Sequence, residues 1–236
     1  MQKIKIVSLM LLVALMLASC ATGTDITQKN NDGSPIWTTV IPESNKLLYG
    51  VGSAKFSTEK NSRDASYSAA VADLARKVSV RIQDASSAYS SDADSELLTA
   101  YENVRTLTVN VTLKGVKTVD RWKAEDGTVW TLVSLEAKRL PEIYSDAANS
   151  WKAQQEEKKL NIMNKLVALQ ESLGDRNDDK AVEIRSLAEE RAGEMIVEIE
   201  QLMSAMHFNE ITENITTDLA KDGYEDTVSG SEGDGV

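Results

Sequence analysis

The 236 residues include one cysteine, one histidine, three prolines and two phenylalanines. A single thiol, Cys20, excludes intramolecular disulfides, so the fold must stand on its apolar core. One histidine, His207, beside one cysteine cannot assemble the usual His/Cys zinc sites. It also leaves no Ser-His-Asp or Cys-His nucleophile system except through His207 itself, and its neighbour Phe208 on an apolar helix marks it as a structural histidine. No catalytic residue, metal ligand or cofactor-binding residue is assigned, no cofactor is expected, and the chain is read as not an enzyme. Long apolar runs are missing as well. The one uncharged apolar stretch, residues 6–18, is 13 residues long, short of the roughly 20 needed to span a bilayer as a helix.

What is present is acid. The net charge is −11, and loss of residues 1–19, which hold Lys3, Lys5 and no acid, takes it to −13. Taken as a whole, such a chain repels nucleic acid phosphates and anionic lipid head groups. Nucleic acid is therefore excluded as a partner.

Lys3 and Lys5, the apolar run, and then Leu17-Ala18-Ser19-Cys20 follow the order of a secretory signal. The last four residues resemble the bacterial lipobox. The resemblance implies cleavage between Ser19 and Cys20, a diacylglyceryl group on the Cys20 thiol and a further acyl chain such as palmitate on the new amine. Two or three chains anchor a protein stably where one does not. Cys20 is the lipid attachment site expected here. Ala21 in place of Asp resembles an outer-membrane destination, with the periplasmic or cell-surface face undecided.

Beyond Cys20 the residues are small, polar and turn-forming to Pro35, which predicts a flexible tether over 20–35. An α+β domain is expected over 36–140. Leu47 to Phe56 reads as a strand containing Gly50 and Gly52; a dinucleotide loop would need a third glycine where Lys55 stands. Residues 63–87 read as a helix with Ser62 as N-cap, Tyr67, Val71, Leu74, Val78, Ile82 and Ala85 on its core face, and Ala65, Ala69 and Ala72 as a flank close to the sheet. A pocket between that sheet and that helix is one candidate ligand site. A short helix is expected over 96–104. The alternation Leu107, Val109, Val111, Leu113 then predicts a half-buried strand over 106–119 that pairs with 129–137 around an Asp126-Gly127 turn.

After Pro141, helix formers predict a helical extension over 141–220. One helix ends at Leu173; the break Gly174 to Asp179 reads as a solvated joint whose acids lack calcium-loop spacing. A second helix follows, with Ala188, Ala192, Met195, Ile199, Leu202 and Met206 on a seven-residue repeat. Packing of the two helices within the chain is favoured over a coiled coil between chains. Phe208, Ile211, Ile215 and Leu219 either prolong the second helix or start a third. A disordered acidic tail is expected over 221–236.

Trp37, the strand Leu48 to Ala54, the alanine-rich helix around Ala69 to Arg76, and the hairpin from Gly115 through Trp122 to Val133 resemble the LPP-twenty-type bacterial lipoprotein family. That domain is also similar to the N-terminal domain of flagellar assembly protein T. The resemblance implies one helix on a small antiparallel sheet, displayed by an envelope lipoprotein. The function expected is a non-enzymatic structural or protein-interaction role, with the membrane bound through the N-terminal lipid. A second copy or an envelope protein would be engaged through residues 142–206. The alternative is a surface-exposed ligand-binding or adhesive lipoprotein.

Overall fold

The computed structural model describes residues 25–44 and 46–223. The acidic tail from 224 onward lies outside them. In chain order the elements are β1 (Leu47–Ala54), α1 (Glu59–Ser90), α2 (Ser95–Thr112), β2 (Lys117–Lys123), β3 (Val129–Glu136), α3 (Leu140–Leu173), α4 (Asp179–Ala205) and α5 (Phe208–Lys221). The sheet is antiparallel, in order β1-β3-β2, with Gly50 opposite Val133 and Gly52 opposite Thr131. This is the expected α+β class, weighted toward helix.

α1 lies across one face of the sheet, and two glycines let it come close. A Cβ added to Gly50 would sit 2.3 Å from the Ala70 carbonyl oxygen, and one on Gly52 would sit 2.1 Å from the Ala70 nitrogen. At these two positions the helix backbone fills the space that a side chain would take. The small residues against the glycines include Ser66 and Ala70, both buried, whereas the expected flank is out of place: Ala69 and Ala72 are exposed. A shift of one residue turns a helix position by about 100°, which moves the small face off the predicted set. Ser66 Oγ meets Thr131 Oγ1 at 2.8 Å, so these two buried hydroxyls satisfy each other.

α1 begins one turn before the expected Ser62. Thr58 is its N-cap, accepting from the Asn61 amide at 3.3 Å, a hydroxyl partner for an otherwise orphaned helix donor. Ser62 instead links the helix to the end of β1: its Oγ accepts from the Phe56 amide at 2.9 Å and donates to the Thr58 carbonyl at 3.1 Å.

The strand expected over 106–119 is not there. α2 runs through Thr112, and β2 starts only at Lys117. The buried positions of α2 are Ala100, Tyr101, Val104, Thr108 and Thr112, a helical period in which two threonines serve as core. Thr108 Oγ1 donates to the Val104 carbonyl at 2.9 Å and Thr112 Oγ1 to the Thr108 carbonyl at 2.8 Å. Each hydroxyl is satisfied within its own helix and leaves its methyl to pack. Counting threonine as polar produces a two-residue alternation that the packing does not obey. The hairpin survives with a shorter first strand, β2 against β3, around a turn at Gly127 with φ of +89°.

α3 and α4 form the expected antiparallel pair within the chain, joined at Gly174, whose φ is +53°. Pro141 sits in the first turn of α3, where its missing N–H costs nothing. α5 is a third helix that folds back, burying Phe208, Ile211, Ile215 and Leu219. One core cluster unites Leu74, Val78 and Ile82 of α1 with Val133 and Leu135 of β3, Ile143, Tyr144 and Trp151 of α3, and those four α5 side chains. The first half of α3 and all of α5 therefore belong to the same packed body as the sheet.

Candidate functional site

The expected cleavage and lipidation residues, Ser19 and Cys20, lie outside the described residues. The described chain opens at Asp25, five residues after Cys20, and from there it is held rather than loose. Asp25 accepts from the Thr27 amide at 2.9 Å and from Thr27 Oγ1 at 2.7 Å. Asp32 does the same with Ser34, at 3.0 and 2.6 Å. The hydroxyl and amide bonds from Thr27 and Ser34 hold both carboxyls below their ordinary range. The Ile36 amide then donates to the Gln28 carbonyl at 2.8 Å, folding residues 25–40 into a strap. Within the span 20–35 expected as a tether, the residues from Asp25 onward form turns, because short Asp, Asn, Ser and Thr side chains here bond their own backbone.

The strap is pinned by Trp37, which is fully buried. Its indole Nε1 donates to Asp120 Oδ2 of β2 at 3.0 Å, across 83 residues of sequence. Asp120 lies opposite Leu132 in the sheet register, and Leu132 is buried outside the main core cluster. The strap therefore covers the sheet face opposite α1. Beyond Trp37 it leaves Val40 (51% exposed) and Ile41 (44%) in the open. The sequence reading missed this patch, since apolar Val40 and Ile41 carry no mark that separates them from core residues.

The free edge of β1 is closed by α1 rather than left for another strand. Lys77 Nζ donates to the Tyr49 carbonyl at 2.7 Å, and Asp73 Oδ2 accepts from the Val51 amide at 3.2 Å. Asp73 also pairs with Lys77 at 2.9 Å and with Arg76. Burial pushes the Asp73 carboxyl up, but the hydrogen bonds from Lys77 and Val51 and the charge of Lys77 outweigh it and leave it below the usual range.

His207 stands between α4 and α5, where its ring stacks on Tyr89 at 4.7 Å and its Nδ1 lies 3.2 Å from the Tyr101 hydroxyl. Trp151 and Phe208 rings meet at 5.8 Å, with Lys152 Nζ 4.5 Å above Phe208. This aromatic elbow clamps α5 against α1, α2 and α3. Among the described residues no three His, Cys, Asp or Glu side chains are grouped to hold a metal. Of the acids at the helix break, Asp178 is the N-cap of α4, accepting from the Ala181 amide at 3.1 Å.

The outer halves of α3 and α4 form an arm. Residues 155–173 extend it by about 27 Å at 1.5 Å per residue. Leu173, Ala181 and Ala192 are buried between the helices, and Lys159 of α3 pairs with Glu200 of α4 at 3.0 Å. Two helices alone cannot cover more. Leu160 (57% exposed), Met163 (53%) and Val167 (50%) form one stripe of α3, and Ile184, Leu187 (58%) and Met195 are open on α4. At the base of the arm a 340 Å³ groove is lined by Thr99, Trp151, Gln155, Lys158 and Leu202. Of the predicted repeat, Ala192 and Met206 are buried while Met195 faces solvent. No helix among the described residues is long and apolar enough to cross a membrane.

Comparison with known proteins bears on the sheet domain. Residues 35–136 match the family described as LPP20 lipoprotein, the segment on which the sequence carries that resemblance. No curated protein matches the chain. A solved structure, that of the secreted protein HP1454 from the human pathogen Helicobacter pylori, is similar at 14% identity with a TM-score of 0.27. The match covers 76% of this chain and 59% of that one, so the chain spans less than two thirds of that protein's length.

Proposed function

Taking residues 35–136 as an LPP20 lipoprotein domain, we propose that the protein is an envelope lipoprotein, held at the outer membrane through acylated Cys20. Its role is structural or protein-binding rather than enzymatic, and the α3–α4 arm is the part that engages an envelope partner or a second copy. The observation that carries the interaction role is the arm itself. It projects from a closed core and leaves eight large apolar side chains open on two helices, more than a solvated helical pair needs for its own packing. The edge of β1, by contrast, is already occupied by Lys77 and Asp73, which removes strand addition there as a binding mode.

Two measurements test the reading. Palmitate labelling of cells should mark the wild-type chain and not Cys20→Ala. Leu160→Glu with Leu187→Glu should leave the circular dichroism spectrum intact, because both side chains are exposed, yet remove the mass of the assembly or the co-purified partner. Unchanged assembly mass and unchanged envelope partners in that double variant would sink the role of the arm.

A further inference from the structure

We infer that a small carboxylate binds in the cleft where the sheet meets the start of α3, with the Arg139 guanidinium as its main partner and Lys117 and the Ser134 hydroxyl beside it. The site is separate from the arm and does not depend on the Cys20 anchor.

The cleft lies at one end of the sheet, where β1 and β2 begin and β3 ends. It has a volume of about 250 Å³ and is lined by Leu47, Gly115, Lys117, Ser134, Glu136 and Arg139. Leu47 stands opposite Glu136 in the sheet register, and Lys117 opposite Ser134. Residues two apart on a strand share a face, so these four lie on one side of the sheet, away from the core residues Val133 and Leu135. The volume falls below that of pockets for drug-sized ligands, which suits a small molecule.

Two polar groups of the lining are left without hydrogen bonds. Arg139 pairs with Glu142 only at 3.7 Å, Nε to Oε2, beyond hydrogen-bond reach, and among the described residues its guanidinium donates no hydrogen bond. Yet the side chain is only 37% exposed. Gly115 makes room for it, since a Cβ there would sit 2.2 Å from Arg139 Nη1. Ser134 is 5% exposed, and its Oγ likewise makes no hydrogen bond among the described residues. The side-chain polar atom sealed in the interior without a partner is the Tyr144 hydroxyl, so the Ser134 oxygen opens outward, onto the cleft it lines. A covered guanidinium and a buried hydroxyl without partners cost free energy that a bound oxyanion would offset.

Charge selects the class of ligand. Lys117 Nζ donates to Glu136 Oε1 at 3.1 Å. That bond and the Lys117 charge, with Lys138 and Arg139 adding to them, hold the Glu136 carboxyl below its ordinary range, so it stays ionised. Arg139 and Lys117 against Glu136 then leave the lining with one net positive charge. A carboxylate monoanion balances it, whereas a phosphate monoester, at about −1.5 to −2 near neutral pH, exceeds it. The guanidinium fork also matches the two oxygens of a carboxylate. The residues directly before Leu47, Gly115 and Arg139 are all exposed lysines, Lys46, Lys114 and Lys138, which draw an anion to this end of an acidic chain. Leu47 offers apolar surface to a short alkyl chain on the acid.

The test uses the full chain with isotope-labelled backbone amides and varies the anion at constant ionic strength. Millimolar butyrate should shift the nuclear magnetic resonance signals of the Gly115, Lys117 and Ser134 amides saturably. Chloride should leave them in place, and phosphate should bind several-fold more weakly. Arg139→Lys keeps the charge but lacks the fork, and should weaken butyrate binding at least several-fold. Gly115→Ala keeps every charge of the lining and displaces the end of the Arg139 side chain. It should weaken butyrate several-fold while the thermal unfolding midpoint stays close to wild type, which separates loss of the site from loss of the fold. Shifts that do not saturate, or that chloride reproduces, overturn the site. Butyrate affinity unchanged in both Arg139→Lys and Gly115→Ala overturns the role of Arg139, and phosphate binding more tightly than butyrate overturns the carboxylate as the ligand.

Discussion

Trp37 Nε1 and Asp120 Oδ2 meet at 3.0 Å across 83 residues, and this bond joins the segment that leads from the lipid to the outer strand of the sheet. Trp37 is fully buried while Asp120 is exposed, so the two ends of the bond contribute unequally. Trp37→Ala empties a large buried volume and should lower unfolding free energy by about 3–5 kcal/mol. Asp120→Ala removes the acceptor but leaves the ring in place, and about 1–2 kcal/mol is expected. In denaturant titrations the double variant should lose less than the sum, since the two residues share one contact. Additive losses would mean that the bond is not made in solution.

Gly50 and Gly52 set the distance between α1 and the sheet. Gly52→Ala would push a methyl against the Ala70 nitrogen at 2.1 Å and the Ser66 carbonyl at 2.5 Å. Both obstacles are backbone, so the helix must move, and a loss of about 3 kcal/mol or more is expected. Gly193 in α4 has nothing within 4 Å of its added Cβ. Gly193→Ala should therefore stabilise the chain by about 0.5–1 kcal/mol through helix propensity. Thermal unfolding of the two variants checks the contrast, which composition alone does not anticipate.

Much of the sheet domain is legible in the residues because its periods are clean. Val71, Leu74, Val78 and Ile82 recur at helical steps and all reach the core, and the Asp126-Gly127 turn marks the hairpin. Legibility fails where a side chain has two physical characters. Thr108 and Thr112 look polar, yet each returns its hydroxyl to its own helix and is buried, which turns an apparent strand into α2. The candidate surfaces were legible only in part. Phe208, Ile211, Ile215 and Leu219 announce an amphipathic helix, but which body it folds onto depends on Tyr89, Tyr101 and His207, distant in sequence. The strap was unreadable for the same reason: the partner of Trp37 is a charged residue on a strand that local pattern places elsewhere.

The carboxyl of Asp73 closes the β1 edge and is held below its ordinary value of 3.8 chiefly by Lys77 and the Val51 amide working against burial. A folded-state value below the unfolded one means that the bonds stabilise the fold above the unfolded value. That contribution is lost as pH falls through the folded value. Asp73→Asn should accordingly be less stable than wild type near neutrality, and the difference should fade only as pH falls through and below the ordinary carboxyl range. Urea midpoints measured across that range decide the matter. A difference that persists unchanged into acid would assign the effect of the substitution to packing instead of charge.

Tyr144 and Tyr101 offer the sharpest contrast in the aromatic elbow. The Tyr144 hydroxyl is buried without a hydrogen-bond partner among the described residues, and burial pushes its ionisation well above the ordinary phenol range. Tyr101, also buried, has its hydroxyl 3.2 Å from His207 Nδ1. An unmet hydroxyl in a core costs free energy that a phenyl ring does not, so Tyr144→Phe should leave stability unchanged or raise it by about 1 kcal/mol. Tyr101→Phe removes a bond that is made and should lose about 1 kcal/mol. It should also loosen the stacking of His207 on Tyr89, visible as faster amide exchange at the start of α5, because that ring pair and that bond together position the joint before Phe208. If Tyr144→Phe instead destabilises the chain by more than Tyr101→Phe, the Tyr144 hydroxyl has a partner in solution, and an ordered water bridging it toward Tyr101 is the polar group with the right size and bonding capacity.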